Sequence, residues 1–243
     1  MNPEAPSRRV KTALKKPAAT AKKAVASSAV PGGPAPVTGR TNDPARTMAG
    51  ILEVATIEFA AKGLAGARID AIADATHTSK RMIYYYFGSK EGLYTAVLEE
   101  AYRQMRNDEA DQSLDALPPE KALRKLVGFT FDHHHGNQNY IRLVMTENME
   151  RGAYIAQIAT IQALNAPAIE GIKRLYKRGV ADGVFRAGLD ATDIHASISA
   201  LSFFNVSNQY TFGVIFGGDA QSTAAVAARR RSVIDMILRF VRA

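Results

Sequence analysis

Apolar residues recur at helical spacing from Asp43 to the C terminus, and this periodicity limits the fold more than any other feature of the sequence. The first apolar stripe consists of Met48, Ile51, Leu52, Ala55 and Phe59. No segment alternates apolar and polar residues as a half-buried strand does, and no internal repeat is present. The sequence therefore predicts an all-α protein.

Start and stop signals divide the chain into helices. Asp43 caps a helix that begins at Pro44 and ends at Gly63, which predicts a first helix over about 44–62. Two short helices follow on either side of His77, and Ser89 begins a longer one. Later breaks, among them one at 213–218, predict helices over about 119–135, 139–149, 154–181, 190–211 and 221–242. Pro167 is expected to break or bend the helix over 154–181.

The N-terminal segment carries most of the net positive charge. The chain of 243 residues has a formal charge of +8, and its first 43 residues hold eight cations against Glu4 and Asp43. Because Ala, Pro, Lys, Ser and Gly dominate this segment, we expect a disordered basic tail that contacts phosphates without reading sequence. A solubilising extension or a wrongly assigned start codon would have the same composition.

The sequence lacks the motifs that are typical of several functional classes. The chain has no cysteine, which excludes disulfides, thiolate metal sites and cysteine nucleophiles. Phosphate-cradling glycine loops, Gly-x-Ser-x-Gly elbows and His-Glu-x-x-His helices are also missing from the sequence, so we expect no enzyme and no cofactor. His133, His134 and His135 are consecutive and would point to different sides of a helix, so we expect no metal site.

The sequence also indicates where in the cell the protein is expected. The first 40 residues lack the apolar segment of a signal peptide, which favours a cytoplasmic protein. Residues 194–218 contain no Asp, Glu, Lys or Arg and outnumber the ~20 residues of a membrane helix. Their Ser, Asn, His and Gln side chains would be costly in hydrocarbon, so we expect no membrane segment.

Two predicted helices begin with cations, which the helix dipole disfavours at an N terminus. Ser79 caps a helix that begins with Lys80 and Arg81, and Ser89 caps a helix that begins with Lys90. The helix dipole already makes each N terminus positive, so a cation there costs about 0.3–1 kcal/mol. Two such starts form an anion-binding surface that a phosphate backbone would fit. Solvated surface cations are the alternative explanation.

An aromatic run follows the first of these starts. Ile83 and Phe87 lie four residues apart and are expected to face the core. Tyr84 and Tyr85 then point outward, where their hydroxyls and rings suit phosphate, sugar and thymine methyl groups. Tyr86 falls near the Ile83 side and is expected to pack against the following helix.

The stretch 44–94 resembles the DNA-binding domain of the tetracycline-repressor (TetR) family. The matching residues, in the same order and spacing, are Ile72-Ala73, Ser79-Lys80, Tyr84-Tyr85-Tyr86-Phe87-Gly88-Ser89-Lys90-Glu91 and Leu93-Tyr94. The resemblance implies a three-helix domain whose helix-turn-helix spans about 68–75 and 79–86. It also implies a DNA-binding domain over 44–91 and a helical bundle for effector binding and dimerisation over 92–243, which follow the disordered basic tail expected over 1–43 from composition.

The resemblance further implies roles for individual residues. Lys80, Arg81 and Met82 would face base edges in the major groove, where a guanidinium can bond guanine O6 and N7 together. Phosphate contacts would come from Thr47, Arg68, Tyr84, Tyr85, Tyr86 and Lys90. Ala67 replaces the family's capping threonine, so the second helix is expected to start less firmly. His77 replaces the turn glycine, at a conformational cost.

The C-terminal helices supply candidates for ligand binding and dimerisation. Polar residues inside apolar helices are possible ligand contacts, although each could equally be a surface or a satisfied core group: Arg142, Glu147, Asn148, Asn205 and Gln209. In the family, the last two long helices of each subunit pair across a homodimer. The candidate stripes are Ile194, Ile198, Leu201 and Asn205, and Val226, Val233, Ile237, Phe240 and Val241. The stripes could instead only close the subunit core.

These observations favour a ligand-responsive transcriptional regulator, most simply a repressor. It would bind a palindromic operator in double-stranded DNA as a homodimer and be released by a small-molecule effector. The alternative is an architectural DNA-binding protein whose basic tail supplies most of the affinity and reads no bases. Removing residues 1–43 separates the two, because only a regulator would keep its sequence preference.

Overall fold

The computed structural model describes residues 43–217 and 221–243, so the predicted disordered tail lies outside the described residues except for Asp43. Ten α-helices occur in these ranges: α1 Pro44–Gly66, α2 Ile69–Ala75, α3 Lys80–Phe87, α4 Lys90–Ala110, α5 Pro119–Gly136, α6 Gln138–Met149, α7 Ile161–Ala181, α8 Ala191–Ser207, α9 Gln209–Phe216 and α10 Thr223–Val241. Short 3₁₀ helices span Leu114–Ala116 and Ile155–Gln157. The described residues form no strand and one isolated bridge, between Phe185 and Arg242, which confirms the all-α prediction.

The N-terminal helices begin where their sequence predicts, whereas α1 extends beyond the predicted end near residue 62, to Gly66. Asp43 accepts hydrogen bonds from two backbone N–H groups in the first turn of α1, at 3.0 and 3.3 Å. Ser79 and Ser89 cap α3 and α4 in the same way, at 3.2 and 3.0 Å. Gly63 has a φ of 66° and interrupts the helical backbone near the end of α1. His77 has a φ of 52°, the left-handed turn conformation that glycine adopts at lower cost.

Later helix boundaries differ from prediction. α7 begins at Ile161 after a 3₁₀ turn, and it continues through Pro167, so the alternative of a break there is wrong. The helix predicted over 190–211 ends at Ser207, and the side chain of the next residue, Asn208, donates from Nδ2 to Ser207 Oγ at 2.8 Å. α9 then runs through Gly213 and ends at Phe216, and the following residue, Gly217, has a φ of 68°.

Two apolar clusters form the core of the compact unit over 42–243. The first joins α1, α2, α3 and the first half of α4, and includes Leu143 of α6 and Ile158. The second joins α5, α7, α8 and α10. Because α4 belongs to the first cluster and also packs against α5 and α7, it physically connects the N-terminal helices to the C-terminal ones. The domain boundary near residue 91 falls in the first turn of α4 and stays a prediction.

The two stripes considered for dimerisation lie inside the subunit. Five of their members are buried in the second cluster: Ile194, Ile198, Val233, Ile237 and Val241. Leu201, Val226 and Phe240 pack against the same cluster. The stripes therefore close the subunit core, which is the second of the two explanations that the sequence left open.

None of the helices in the described ranges combines the length and the hydrophobicity needed to cross a membrane.

Candidate nucleic-acid interface and internal cavity

The cationic starts of α3 and α4 both reach the segment that joins α1 to α2. Lys80, the first residue of α3, forms an ion pair with Asp70 Oδ1. Lys90, the first residue of α4, donates a hydrogen bond from Nζ to the carbonyl oxygen of Ala65, at 3.3 Å. These contacts place the start of α3 beside the first turn of α2 and the start of α4 beside the last turn of α1.

Three further residues of the predicted DNA contact occupy different positions. Arg68 is exposed and lies 3.9 Å from Asp70, so it shares that carboxylate with Lys80. Arg81 is exposed at the start of α3. Thr47 is half-buried in the first turn of α1, where its hydroxyl donates to the carbonyl oxygen of Asp43 at 3.0 Å. The sequence pattern did not predict the role of Asp70, which partly offsets the charge of both Arg68 and Lys80.

The aromatic run divides between core and solvent as predicted. Ile83 is fully buried, whereas Tyr85 is 77% and Tyr84 44% exposed. Tyr86 is half-buried and packs against the first core cluster, and its ring lies 5.3 Å from that of Tyr85. Met82 is half-buried. α3 therefore presents two tyrosines to solvent beside its cationic start, while its inner face anchors it to the core.

Glu58 supports the start of α2, where Ala67 offers no side-chain cap. Its Oε1 accepts the backbone N–H of Arg68 at 3.0 Å, and the same carboxylate accepts from Lys62 Nζ at 2.8 and 2.9 Å. The hydrogen bond from Lys62 is the main reason that the pKa of Glu58 lies below its ordinary value, and the Arg68 contact adds to it. A long-range carboxylate thus replaces the missing local cap, a substitution that sequence spacing does not reveal.

Replacing Glu58 is expected to weaken the folded state in a way that depends on pH. Glu58→Ala leaves the Arg68 N–H without its acceptor and should lower the free energy of unfolding by about 1–2 kcal/mol in urea denaturation at neutral pH. Glu58→Gln keeps an acceptor oxygen and should cost less. Because the folded pKa is lowered, the charge stabilises the protein above the ordinary glutamate range and stops doing so as pH falls through the lowered value. An equal free energy of unfolding for Glu58→Ala and the unsubstituted chain would contradict this role.

A cavity of about 220 Å³ lies among α4, α5, α6, α7 and α8. Its polar walls come from all five helices, with Tyr102, Arg106 and Glu109 on α4, Thr130 and His134 on α5, Tyr140 on α6, Asn165 on α7, and His195 and Ser199 on α8. The apolar walls include Met105, Leu126, Val144, Ile172, Ile198 and Phe203. The cavity therefore combines buried ionisable groups with an apolar and aromatic lining, as small-molecule sites commonly do.

Burial shifts the acid–base behaviour of the groups around this cavity. It lowers the pKa of His134 to about 4, an effect to which His133, Arg106 and His195 add. It also lowers the pKa of His195, so both imidazoles are neutral at pH 7. Burial raises the pKa of Glu109, against the opposing charge of Arg106. Clusters of shifted ionisable groups in a cavity mark candidate functional sites.

The five ligand-binding candidates from the sequence do not gather in this cavity. Glu147 is buried, and its Oε2 accepts the backbone N–H groups of residues 154 and 155 at 3.2 and 2.9 Å, so it stabilises the turn after α6. Asn148 donates to the Val144 carbonyl oxygen on its own helix at 2.8 Å. Arg142 is exposed and donates to the Tyr210 hydroxyl at 3.4 Å.

The remaining two candidates line a different cavity. Asn205 and Gln209 border a space of about 380 Å³ beside α8, α9 and α10. Asn205 bonds there to Arg229, whose Nε donates to Asn205 Oδ1 at 3.1 Å. The walls also include Phe204 and Phe212, which are 45% and 42% exposed. This cavity borders an exposed apolar surface, unlike the one among α4–α8.

One sequence pattern could have indicated the cavity among α4–α8. Tyr102, Met105, Arg106 and Glu109 are spaced three or four residues apart, so they share one face of α4. Polar residues on an otherwise apolar helical face indicate a lined cavity, whereas His134 and His195 come from distant segments. His133 and His134 are buried in α5, and among the described residues no group of three or more His, Cys, Asp or Glu side chains is placed to hold a metal ion.

Comparisons with known proteins cover both parts of the chain. Residues 51–97 match the family model of bacterial regulatory proteins of the tetR family, and residues 119–237 match that of the tetracyclin repressor-like C-terminal domain. The chain is 34% identical over 197 residues to the HTH-type transcriptional repressor NicS of Pseudomonas putida, an alignment that covers 81% of this chain and 93% of NicS. It is 34% identical over 139 residues to the HTH-type transcriptional repressor SCO4008 of Streptomyces coelicolor, covering 57% and 69%.

A solved structure shows the same fold. The transcriptional regulator SCO4942 from Streptomyces coelicolor superposes with a TM-score of 0.61 at 27% identity, covering 80% of this chain and 98% of SCO4942. Together, the sequence and structural relatives support a regulator rather than an architectural DNA-binding protein. The chain belongs to the TetR family of DNA-binding transcriptional regulators.

Proposed function

We propose that this regulator is a repressor that binds a palindromic operator as a homodimer and is released when a small molecule enters the cavity among α4–α8. The observation that carries the DNA-binding part is the pair of capped, cationic helix starts at Lys80 and Lys90, each of which contacts the region where α1 ends and α2 begins. Family membership and the two relatives named repressors support the direction of control.

The proposed DNA contact uses each exposed group for what its chemistry allows. Arg81 is a donor-only, exposed guanidinium at the start of α3, suited to guanine in the major groove. Lys80 contacts the same groove when its ion pair with Asp70 is replaced by contacts with the duplex. Tyr84, Tyr85 and Lys90 lie further along the same surface and suit phosphate oxygens, which fix register without reading sequence. Arg68 reaches the backbone from the start of α2, with Thr47, Met82 and Tyr86 in supporting positions.

Helix α4 supplies the proposed coupling between DNA and effector. It begins at Lys90 in the DNA-binding surface and carries Tyr102, Arg106 and Glu109 on the cavity wall. An effector that favours a different position of the far half of α4 also moves its start. The operator-bound dimer needs its two recognition helices about 34–36 Å apart, so the displacement disfavours binding.

The proposed dimer surface is the outer face of α8 and α10. Exposed residues follow one another at four-residue spacing on both helices: Thr192, Ala196, Ala200 and Phe204 on α8, and Ala224, Ala228, Ser232 and Met236 on α10. Small side chains let helices approach closely, and i±4 rows interlock in helix packing. The neighbouring helix α9 has no buried residue and exposes Tyr210, Val214, Ile215 and Phe216. Exposed apolar surface of this extent is typical of an interface.

Operator selection with and without residues 1–42 tests this function. The truncated chain keeps Asp43 and therefore the cap of α1. We expect both chains to select the same palindromic sequence and to bind it about 1,000-fold more tightly than a scrambled duplex. The truncated chain should lose a common factor of affinity for every duplex and show a weaker dependence on salt. Equal binding of the full chain to all duplexes would remove the repressor function.

A further inference from the structure

The size of the cavity among α4–α8 limits what it can hold. Its volume of about 220 Å³ is below the ~300–1,000 Å³ typical of sites for drug-sized ligands. Arg106 and Glu109 also border a larger space of about 500 Å³ between α4 and α7, so this ion pair stands between the cavity and a route to the surface. The cavity therefore accommodates a compound with one ring and short substituents.

Arg106 presents an unused donor at this position. Its Nη1 lies 2.6 Å from Glu109 Oε2, and its side chain is only 12% exposed. Its Nε is buried and has no hydrogen-bond partner within the described part of the chain. A guanidinium only donates, so the occupant of this edge must be an acceptor. A carboxylate fits best, because it accepts from a guanidinium edge through two parallel hydrogen bonds.

A second unpartnered group lies in the cavity wall. His134 is 5% exposed, and its Nδ1 is buried with no partner among the described residues. Because burial keeps this imidazole neutral, it has one N–H to donate and adds no charge. The ionisable groups on the wall are Tyr102, Arg106, Glu109, His134, Tyr140 and His195, and α7 contributes none of them. Glu109 is thus the single carboxylate in the lining, and its negative charge is paired with Arg106.

The aromatic side chains give the cavity flat walls. The His134 and Tyr140 rings are nearly parallel, with 26° between their planes and 6.0 Å between their centroids. Phe203 stands almost perpendicular to His134, at 89° and 6.1 Å. Tyr102 meets Tyr140 edge to face at 5.5 Å. Rings in such arrangements favour further aromatic contacts, so a planar ring suits this space better than a puckered or branched one.

We propose that the effector of this regulator is a small monocyclic aromatic or heteroaromatic carboxylate, bound among α4–α8 with its carboxylate on the free edge of Arg106. Its ring lies against Tyr140 and Phe203, and His134 donates a hydrogen bond to it. The inference rests on the proposed function, since it names the class of compound that releases the operator.

Titration calorimetry on the full chain tests the class, with benzoate as the probe and benzamide as its uncharged counterpart. Loss of a charge-assisted hydrogen bond to a buried guanidinium should weaken binding about tenfold or more, so benzoate should bind at least about tenfold more tightly than benzamide. Benzamide binding as tightly as benzoate, or no binding of benzoate, would overturn the proposal. This comparison needs no substitution and so does not depend on how a variant folds.

Arg106→Gln tests the residue, with Arg103→Gln as its matched control on the same helix. Arg103 pairs with Glu99 and Glu100 and does not line the cavity. Benzoate affinity should fall about tenfold in Arg106→Gln and stay within about twofold in Arg103→Gln. Circular dichroism checks that both variants fold. If Arg106→Gln does not fold, Arg106→Lys, which keeps the charge without the planar edge, takes its place. Unchanged benzoate affinity in the folded Arg106 variant would overturn the role of Arg106.

Operator binding separates this proposal from the function on which it rests. If benzoate fails to bind while the chain still selects a specific operator, the carboxylate class is wrong and the repressor function stands. If the chain binds all duplexes equally, the repressor function itself fails, whatever benzoate does.

Discussion

Replacing Lys80, Arg81 and Lys90 together with alanine is expected to lower the affinity for the selected operator by about 1,000-fold or more. A homodimer loses six cations from its contact with the duplex, and each hydrogen bond to a charged group contributes about 1.5–3 kcal/mol before solvent exposure reduces it. The logarithmic dependence of affinity on salt should become shallower by about 0.9 for each cation that contacts the DNA. Fluorescence anisotropy at several salt concentrations measures both quantities.

The matched control removes the same charge elsewhere. Lys121 and Arg124 on α5 and Lys177 on α7 are exposed and lie outside the proposed contact. Their joint replacement with alanine should change operator affinity by less than about threefold, because exposed charges beyond a Debye length of ~8 Å from the DNA are largely screened. An equal loss in the two triple variants would mean that overall charge, rather than the starts of α3 and α4, holds the duplex.

The DNA-binding half could be predicted because its signals are local. A cap such as Asp43 or Ser79 acts within one turn of its own helix, and the contrast between Ile83 and Tyr85 follows from helical spacing alone. The left-handed conformation of His77 likewise follows from its place in the turn. One contact that the sequence pattern did not predict, Glu58 with the Arg68 N–H, joins residues ten apart across a helix end, so no local pattern contains it.

The cavity among α4–α8 could not be predicted in the same way. His134 and His195 are about sixty residues apart and meet only because α5 packs against α8. A search for polar residues in apolar helices instead found Glu147 and Asn148, whose hydrogen bonds are with nearby backbone. Composition shows that a polar group is costly to bury, but tertiary packing decides whether a turn, a neighbouring helix or a ligand provides its partner.

The proposed dimer surface illustrates what helical periodicity alone cannot decide. α8 has apolar residues on more than one face, so its stripe at Ile194 and Ile198 and its stripe at Ala196 and Ala200 are both regular. The larger side chains gain more free energy by burial and occupy the subunit core. The small residues remain exposed on the outer face of α8, where the proposed dimer contact would use them.

Placing a carboxylate on this outer face is expected to separate the subunits. Ala200→Glu combined with Ala228→Glu brings four negative charges into the symmetric interface, where desolvation and mutual repulsion oppose association. Operator affinity should fall by about 100-fold or more, since each monomer then binds its half-site without the gain from linkage to the other. Light scattering after size exclusion should report the mass of one chain.

The fold itself should survive this change, because both alanines are exposed and touch neither core cluster. Ala166→Glu, an exposed position on α7, is the matched control and should leave both mass and operator affinity unchanged. A double variant that remains a dimer and retains its operator affinity would move the interface away from α8 and α10. Since the exposed apolar residues of α9 are untouched by these substitutions, such a result would assign them the dominant part of the dimer contact.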